Sequence, residues 1–181
     1  MKKNTQIGVY VWRLCPIHVW HELLISIMRE SYGNDFLQIL WSSNAQFSLR
    51  NFFNYSERRG FYKMRFPDQK IVWMPDYWTD EDWLLALDDI LIAFWWFEDR
   101  DELLDKVTFI GWCDEDVDFF LKDWRKVDII NRFDWSTPKI SATEVRDALI
   151  HNRSLDWLLH PEIHDEVRSL FQSKWEKFKK L

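Results

Sequence analysis

Short apolar, β-rich runs alternate with helical segments along most of the chain, and this alternation restricts the fold more than any other feature. The runs are Ile7-Gly8-Val9-Tyr10-Val11, residues 36–40, Ile71-Val72-Trp73-Met74, Val107-Thr108-Phe109-Ile110 and Val127-Asp128-Ile129-Ile130. Between the first two, Leu23, Leu24, Ile27 and Met28 recur at helical spacing, which predicts a helix over residues 18–30. Ser56 reads as the N-cap of a helix reaching residue 63, and Thr79-Asp80-Glu81-Asp82 opens one reaching about residue 94. Residues 114–122 read as a further helix, Ser141 opens another through residue 149, and the tail from Leu155 reads as helical. Five strands separated by helices specify a parallel sheet covered on both faces. With no repeat or linker to split the chain, residues 1–150 are expected to form one domain and residues 151–181 an α-helical extension of it. In such sheets ligands bind at the carboxyl ends of the strands, where strand order reverses.

The chain has 181 residues and a net charge of −6, and its longest basic stretch is the tail Lys177-Phe178-Lys179-Lys180. A nucleic-acid partner is therefore not expected, because it would call for a basic face. The apolar run from Ile7 ends at Arg13, too soon for a signal-peptide core, and no stretch is long enough to span a bilayer. Cys15 and Cys113 make neither a disulfide framework nor a metal-spacing pattern, which points to the reducing cytoplasm.

Two motifs follow strands. The first is Trp12-Arg13-Leu14-Cys15-Pro16-Ile17-His18-Val19-Trp20-His21. Its histidines lie three apart at the start of a helix and project to one side, where free N–H groups and a partial positive charge favour phosphate. Taken alone, the pair also fits a metal site lacking a third ligand, or capping and surface histidines. The second motif is Ile140-Ser141-Ala142-Thr143-Glu144-Val145-Arg146. Ser141 and Thr143 can cap the helix or donate to phosphate, and Arg146 can clamp phosphate through two N–H groups.

Together the motifs resemble the His-x-Gly-His and Ile-Ser-x-Thr-x-x-Arg signatures of the nucleotidylyltransferase superfamily, over roughly residues 6–150. The resemblance implies a Rossmann-like, doubly wound, five-stranded parallel sheet. Ser42-Ser43-Asn44, Arg50-Asn51-Phe52-Phe53, Ser56-Glu57-Arg58-Arg59 and Met74-Pro75-Asp76-Tyr77 with Trp83 are similar to segments of nicotinamide mononucleotide (NMN) adenylyltransferases. Trp112 stands where that family commonly has histidine, and Phe52 where it has proline. The resemblance implies ATP and NMN as substrates and NAD and pyrophosphate as products. Phosphopantetheine, or a sugar or alcohol phosphate, is the alternative acceptor. By the same resemblance His18, His21, Ser141, Thr143 and Arg146 bind the ATP phosphates, and Arg13 adds charge near the reacting groups. Ser43, Asn44, Arg50, Asn51, Asp76 and Trp83 are expected at the acceptor. Mg²⁺ is expected to be held by the triphosphate rather than by a carboxylate cage. The superfamily often forms oligomers, and the tail is expected to cover the site or an interface.

The composition conflicts with this family in one respect. The chain has 13 Trp and 4 Gly, whereas glycine is ordinarily about 7% of residues. The family's motif glycines fall at Trp12, Trp20 and Trp41, and Trp124 and Trp135 stand in turn-like contexts. Three readings compete: a non-catalytic nucleotide-binding regulator with an indole-filled pocket, an active enzyme with aromatic stacking on adenine, and UGA codons read as glycine but written as tryptophan. The joint excess of Trp and shortage of Gly at motif positions favours the third. Trp83 reads as a genuine tryptophan, and Trp157 and Trp175 as apolar-face residues of the tail. A literal Trp20 is expected to fill the phosphate site.

Overall fold

The structure, a computed structural model, describes residues 6–42, 48–130 and 140–180, with the backbone alone at residues 42, 115 and 116. Its strands are β1 (Ile7–Trp12), β2 (Phe36–Ser42), β3 (Lys70–Pro75), β4 (Val107–Gly111) and β5 (Lys126–Ile129). Its helices are α1 (Val19–Tyr32), α2 (Tyr55–Arg65), α3 (Asp80–Trp95), α4 (Arg100–Lys106), α5 (Asp114–Lys122), α6 (Ala142–Ile150) and α7 (His164–Phe178). All neighbouring strands pair in parallel, in the order β3-β2-β1-β4-β5. The order reverses between β1 and β4, whose register pairs Val9 with Phe109 and Tyr10 with Ile110. This is the Rossmann-like α/β architecture.

Alternation along the central strands divides the core into two layers. Tyr10, Phe36, Leu40 and Ile110 join residues of α1, α2, α6 and α7 on one face. Val9, Leu37, Ile39, Val107 and Phe109 join residues of α3, α4 and α5 on the other. Gly8 lets β1 and α1 close together, since a Cβ there would lie 2.7 Å from the Tyr32 ring.

Several local expectations need correction. Asn54, not Ser56, caps α2: its Oδ1 accepts from the Glu57 N–H at 3.0 Å, and Glu57 accepts from the Asn54 N–H at 2.8 Å. That reciprocal box satisfies two end donors, so the cap falls two residues earlier than read. The sequence reading did not include α4, a single short segment capped by Asp99. It holds Arg100 against Asp88 at 3.0 Å, beside the buried Arg125–Asp88 pair at 2.5 and 2.9 Å. The long tail helix begins at His164, after a turn, rather than at Leu155. Trp157 is not an apolar-face residue: it is 87% exposed. Trp135 lies outside the described residues.

The tail packs into the α1-side core through Leu155, Leu159, Ile163, Val167 and Phe171. Phe171 stacks on Phe52 with ring centroids 4.4 Å apart, and Lys174 donates to the Phe52 carbonyl at 3.3 Å and to Glu57. The tail therefore buttresses the segment after β2, and none of its described residues lines the cavity at the strand ends.

Candidate nucleotide-binding cleft

A cavity of about 700 Å³ opens at the carboxyl ends of the strands and is lined by Val11 and Trp12 of β1 and by Ile110 and Gly111 of β4. These strands flank the reversal point, so the cavity lies where the topology leaves a crevice.

His18 is the N-cap of α1, with an extended backbone that turns the chain into the helix. Its N–H donates to Nδ1 of His21 at 3.2 Å, and the two rings lie 3.6 Å apart between centroids. Because Nδ1 accepts, the neutral His21 ring carries its proton on Nε2. Both histidines are nearly enclosed yet line the cavity. The preceding loop turns at Leu14, a buried residue held at φ 49°.

Ser141 caps α6, but its hydroxyl is engaged by the helix itself. It accepts from the Glu144 N–H at 3.3 Å and donates to Glu144 Oε2 at 2.9 Å. Thr143 Oγ1 accepts from Arg146 Nη2 at 2.9 Å, which leaves the threonine proton to donate. Arg146 Nη1 donates to the Cys15 carbonyl at 3.4 Å and so ties the second motif to the first.

Positive charge gathers at this wall. Burial pushes the Arg13 guanidinium below its usual range, and Arg50 adds repulsion that Asp76 partly offsets. Burial likewise lowers Arg146, with Cys15 opposing the shift and Arg50 adding to it. Each shift means that the charged form lacks full compensation, the condition an anionic ligand relieves. Nε of Arg13 is buried with no hydrogen-bond partner among the described residues.

Sequence reasoning missed one neighbour of the cavity lining, Arg58. Its buried guanidinium donates to the Arg13 carbonyl and, at 2.9 Å, to the Trp41 carbonyl, fastening the ends of β1 and β2 together. The Asn54–Glu57 capping pattern was the available signal, because it fixes the face on which Arg58 projects.

The lining also includes an aromatic and acidic set: Asp76, Tyr77, Asp80, Trp83, Phe119 and Phe120. Trp83 is also part of the core, edge-on to Phe119 at 5.3 Å and to Trp41 at 5.8 Å. Trp41 donates from Nε1 to Asp76 Oδ1 at 2.6 Å and lies 4.1 Å beneath the Arg13 guanidinium. Trp12 stacks on Trp112 at 5.1 Å, nearly parallel.

The cavity thus brings together Arg13, His18, His21, Arg50, Asp76, Trp83, Ser141, Thr143 and Arg146, with Trp12 and Trp41 in its wall. Asn51 is not in its lining; its N–H closes a turn onto Ser48 at 3.1 Å. Ser43 and Asn44 lie outside the described residues. Trp20 is a correction: it does not fill the phosphate site. Positions 18 and 21 share a helix face, whereas position 20 points about 200° from position 18, into the core, where Trp20 is fully buried. Its Nε1 has no hydrogen-bond partner among the described residues. Those residues include no group of three or more His, Cys, Asp or Glu that could hold a metal ion. Among them, no helix is long and apolar enough to cross a membrane.

No family model and no curated protein matches the chain in sequence. Solved structures do match in fold. A bifunctional NMN adenylyltransferase/ADP ribose pyrophosphatase from Francisella tularensis, complexed with AMP and a Mn ion, is 15% identical with a TM-score of 0.64. The match covers 85% of this chain and 44% of that one. A NadR protein in complex with NAD and AMP-PNP is 21% identical, with a TM-score of 0.58 over 81% of this chain and 43% of that one. A NadR protein in complex with NR is 20% identical, with a TM-score of 0.61 over 87% of this chain and 43% of that one. The chain spans less than half the length of these neighbours. At these identities the likeness establishes the fold.

Proposed function

We propose that the chain is an adenylyltransferase that joins NMN to the adenylyl group of ATP, giving NAD and pyrophosphate. The observation that carries this reading is the convergence of both sequence motifs on one cavity, tied by the Arg146–Cys15 hydrogen bond. The fold neighbours were solved with AMP, NAD, AMP-PNP and NR, and the cavity suits the same class of ligand.

In this reading an oxygen of the NMN 5′-phosphate attacks the α-phosphorus of ATP. The bond from that phosphorus to the pyrophosphate oxygen breaks, and pyrophosphate leaves with the electron pair. No protein nucleophile and no obligatory proton transfer are needed, so catalysis consists of positioning and charge stabilisation. His18 and His21 donate to the phosphates near the reacting phosphorus. Thr143, Arg146 and the first turn of α6 hold the outer phosphates, and Arg13 and Arg50 offset the charge that develops. Ser141 serves chiefly to cap α6. The groups facing the phosphates are cations and N–H or O–H donors, which suit phosphate oxygens rather than a metal. Any Mg²⁺ would accordingly be held by the triphosphate itself and would supply charge neutralisation there.

The polarity of the cavity supports NMN as acceptor. Its arginine and histidine wall suits phosphates, while Asp76, Asp80 and the Trp83 ring suit a flat, positively charged pyridinium. Phosphopantetheine has no cationic ring to use that wall. One observation favours a non-catalytic regulator for the literal chain: Trp12 and Trp41 place indoles on Trp112 and Arg13 inside the cavity.

The test supplies ATP and Mg²⁺ with either NMN or phosphopantetheine and separates the products. NAD formed only with NMN supports the proposal. Adenylylated phosphopantetheine would move the acceptor assignment, and calorimetric ATP binding without any product would favour the regulator.

A further inference from the structure

Helices in this chain repeatedly end on a left-handed residue. The residue just past α1 is Gly33 at φ 59°, that past α3 is Trp96 at φ 59°, and Asn152 follows the end of α6 at φ 49°. Trp124 plays the same part after α5, at φ 58°. At the ends of α3, α5 and α6 the next N–H reaches back to a carbonyl five residues earlier. Phe97 bonds Ile92 at 3.2 Å, Arg125 bonds Phe120 at 3.0 Å, and Arg153 bonds Ala148 at 2.8 Å. This closure requires a left-handed residue immediately before the donor, a place taken by glycine and sometimes asparagine. Asn152 obeys that rule, whereas Trp96 and Trp124 do not, because a bulky Cβ substituent crowds the following carbonyl.

Trp157 is a third case, at φ 69° in the turn where Leu158 and Leu159 both donate to the Leu155 carbonyl at 3.0 Å. Burial does not compensate any of these indoles. They are 88%, 91% and 87% exposed for Trp96, Trp124 and Trp157.

We infer that residues 96, 124 and 157 are glycine sites, and that the chain made in its own cells carries glycine there, from UGA codons read as glycine. The inference rests on backbone geometry and exposure at the periphery, not on the functional reading of the cavity. It nevertheless bears on the cavity, because a reassigned codon is reassigned throughout the chain. The same decoding would remove the indoles of Trp12 and Trp41 from the cavity wall and release Arg13 and Asp76 toward ligand.

Peptide mass spectrometry of the protein isolated from its own cells tests the inference directly. Glycine at all three positions is expected, and tryptophan at any of them overturns it. A second measurement uses the tryptophan-bearing chain. W96G and W124G are each expected to melt about 2–8 °C above W96A and W124A, because alanine keeps the left-handed strain. At Trp175, inside α7, alanine is expected to melt above glycine. Alanine equal to or above glycine at 96 and 124 would also overturn the inference.

Discussion

Arg146 of α6 donates to the carbonyl oxygen of Cys15, 131 positions earlier in the chain, and joins the two sequence motifs in one cavity lining. The same guanidinium engages Thr143 at 2.9 Å. Both hydrogen bonds point the group toward the cavity and use the geometry of a planar fork. Lysine supplies the charge without the fork. Arg146→Lys is therefore expected to lower kcat/KM for ATP about 10- to 150-fold, the range for losing a charge-assisted hydrogen bond. The melting temperature should change little. Steady-state pyrophosphate release with ATP varied measures this.

His21→Gln separates catalysis from capping. Glutamine at this position still reaches back to the His18 N–H, as in an ordinary capping box, but has no imidazole Nε2 to donate. Turnover should fall about 10²- to 10³-fold, the effect of removing one transition-state donor. Circular dichroism and melting should match the parent. Unchanged turnover would remove His21 from the chemistry.

Trp83 carries two roles, in the core and in the cavity wall, so truncation to alanine would confuse them. Trp83→Phe keeps an aromatic ring against Phe119 and removes the larger indole face. The Michaelis constant for NMN should rise several-fold, within the roughly 1–3 kcal/mol of a stacked base, while that for ATP stays nearly constant. If both constants move together with a lowered melting temperature, the packing role is the one that matters.

The sheet was legible because its strands are short apolar runs bounded by clear caps, and Thr79 and Ser141 cap the helices as read. The cavity was legible at His18, His21 and Arg146 because each motif follows a strand and opens a helix. Arg58 was legible only by the helix face that the Asn54–Glu57 box fixes, and its role was not: its partners are backbone carbonyls of Arg13 and Trp41, which no residue pattern marks. Trp20 was misread because spacing in sequence was taken for proximity to ligand, whereas helical rotation carries it into the core. The left-handed positions at 96 and 157 left no local signal, since the only letter there is tryptophan.

Glu22 offers a test of electrostatics independent of catalysis. Burial raises its carboxyl above the ordinary 4.5, and Arg65, paired at 3.0 Å, offsets only part of the shift. The folded state therefore holds this proton more tightly than the unfolded state, so the parent loses stability as pH rises past that value. Glu22→Gln removes the titration. The variant's melting temperature relative to the parent should be higher near pH 7 than near pH 4. The opposite trend would mean that the Arg65 pair outweighs desolvation.

The most direct test of adenylyl transfer in this cavity is NAD formation from ATP, Mg²⁺ and NMN by two versions of the chain. One carries tryptophan at 12 and 41, and the other carries glycine at both. Glycine exposes backbone N–H groups and clears the space where Trp12 stacks and Trp41 engages Arg13. The glycine version should release NAD and pyrophosphate in equal amounts and lose this activity with Arg146→Ala. The tryptophan version should be slower or inactive. No NAD from either version, or NAD formation indifferent to Arg146, would contradict the account.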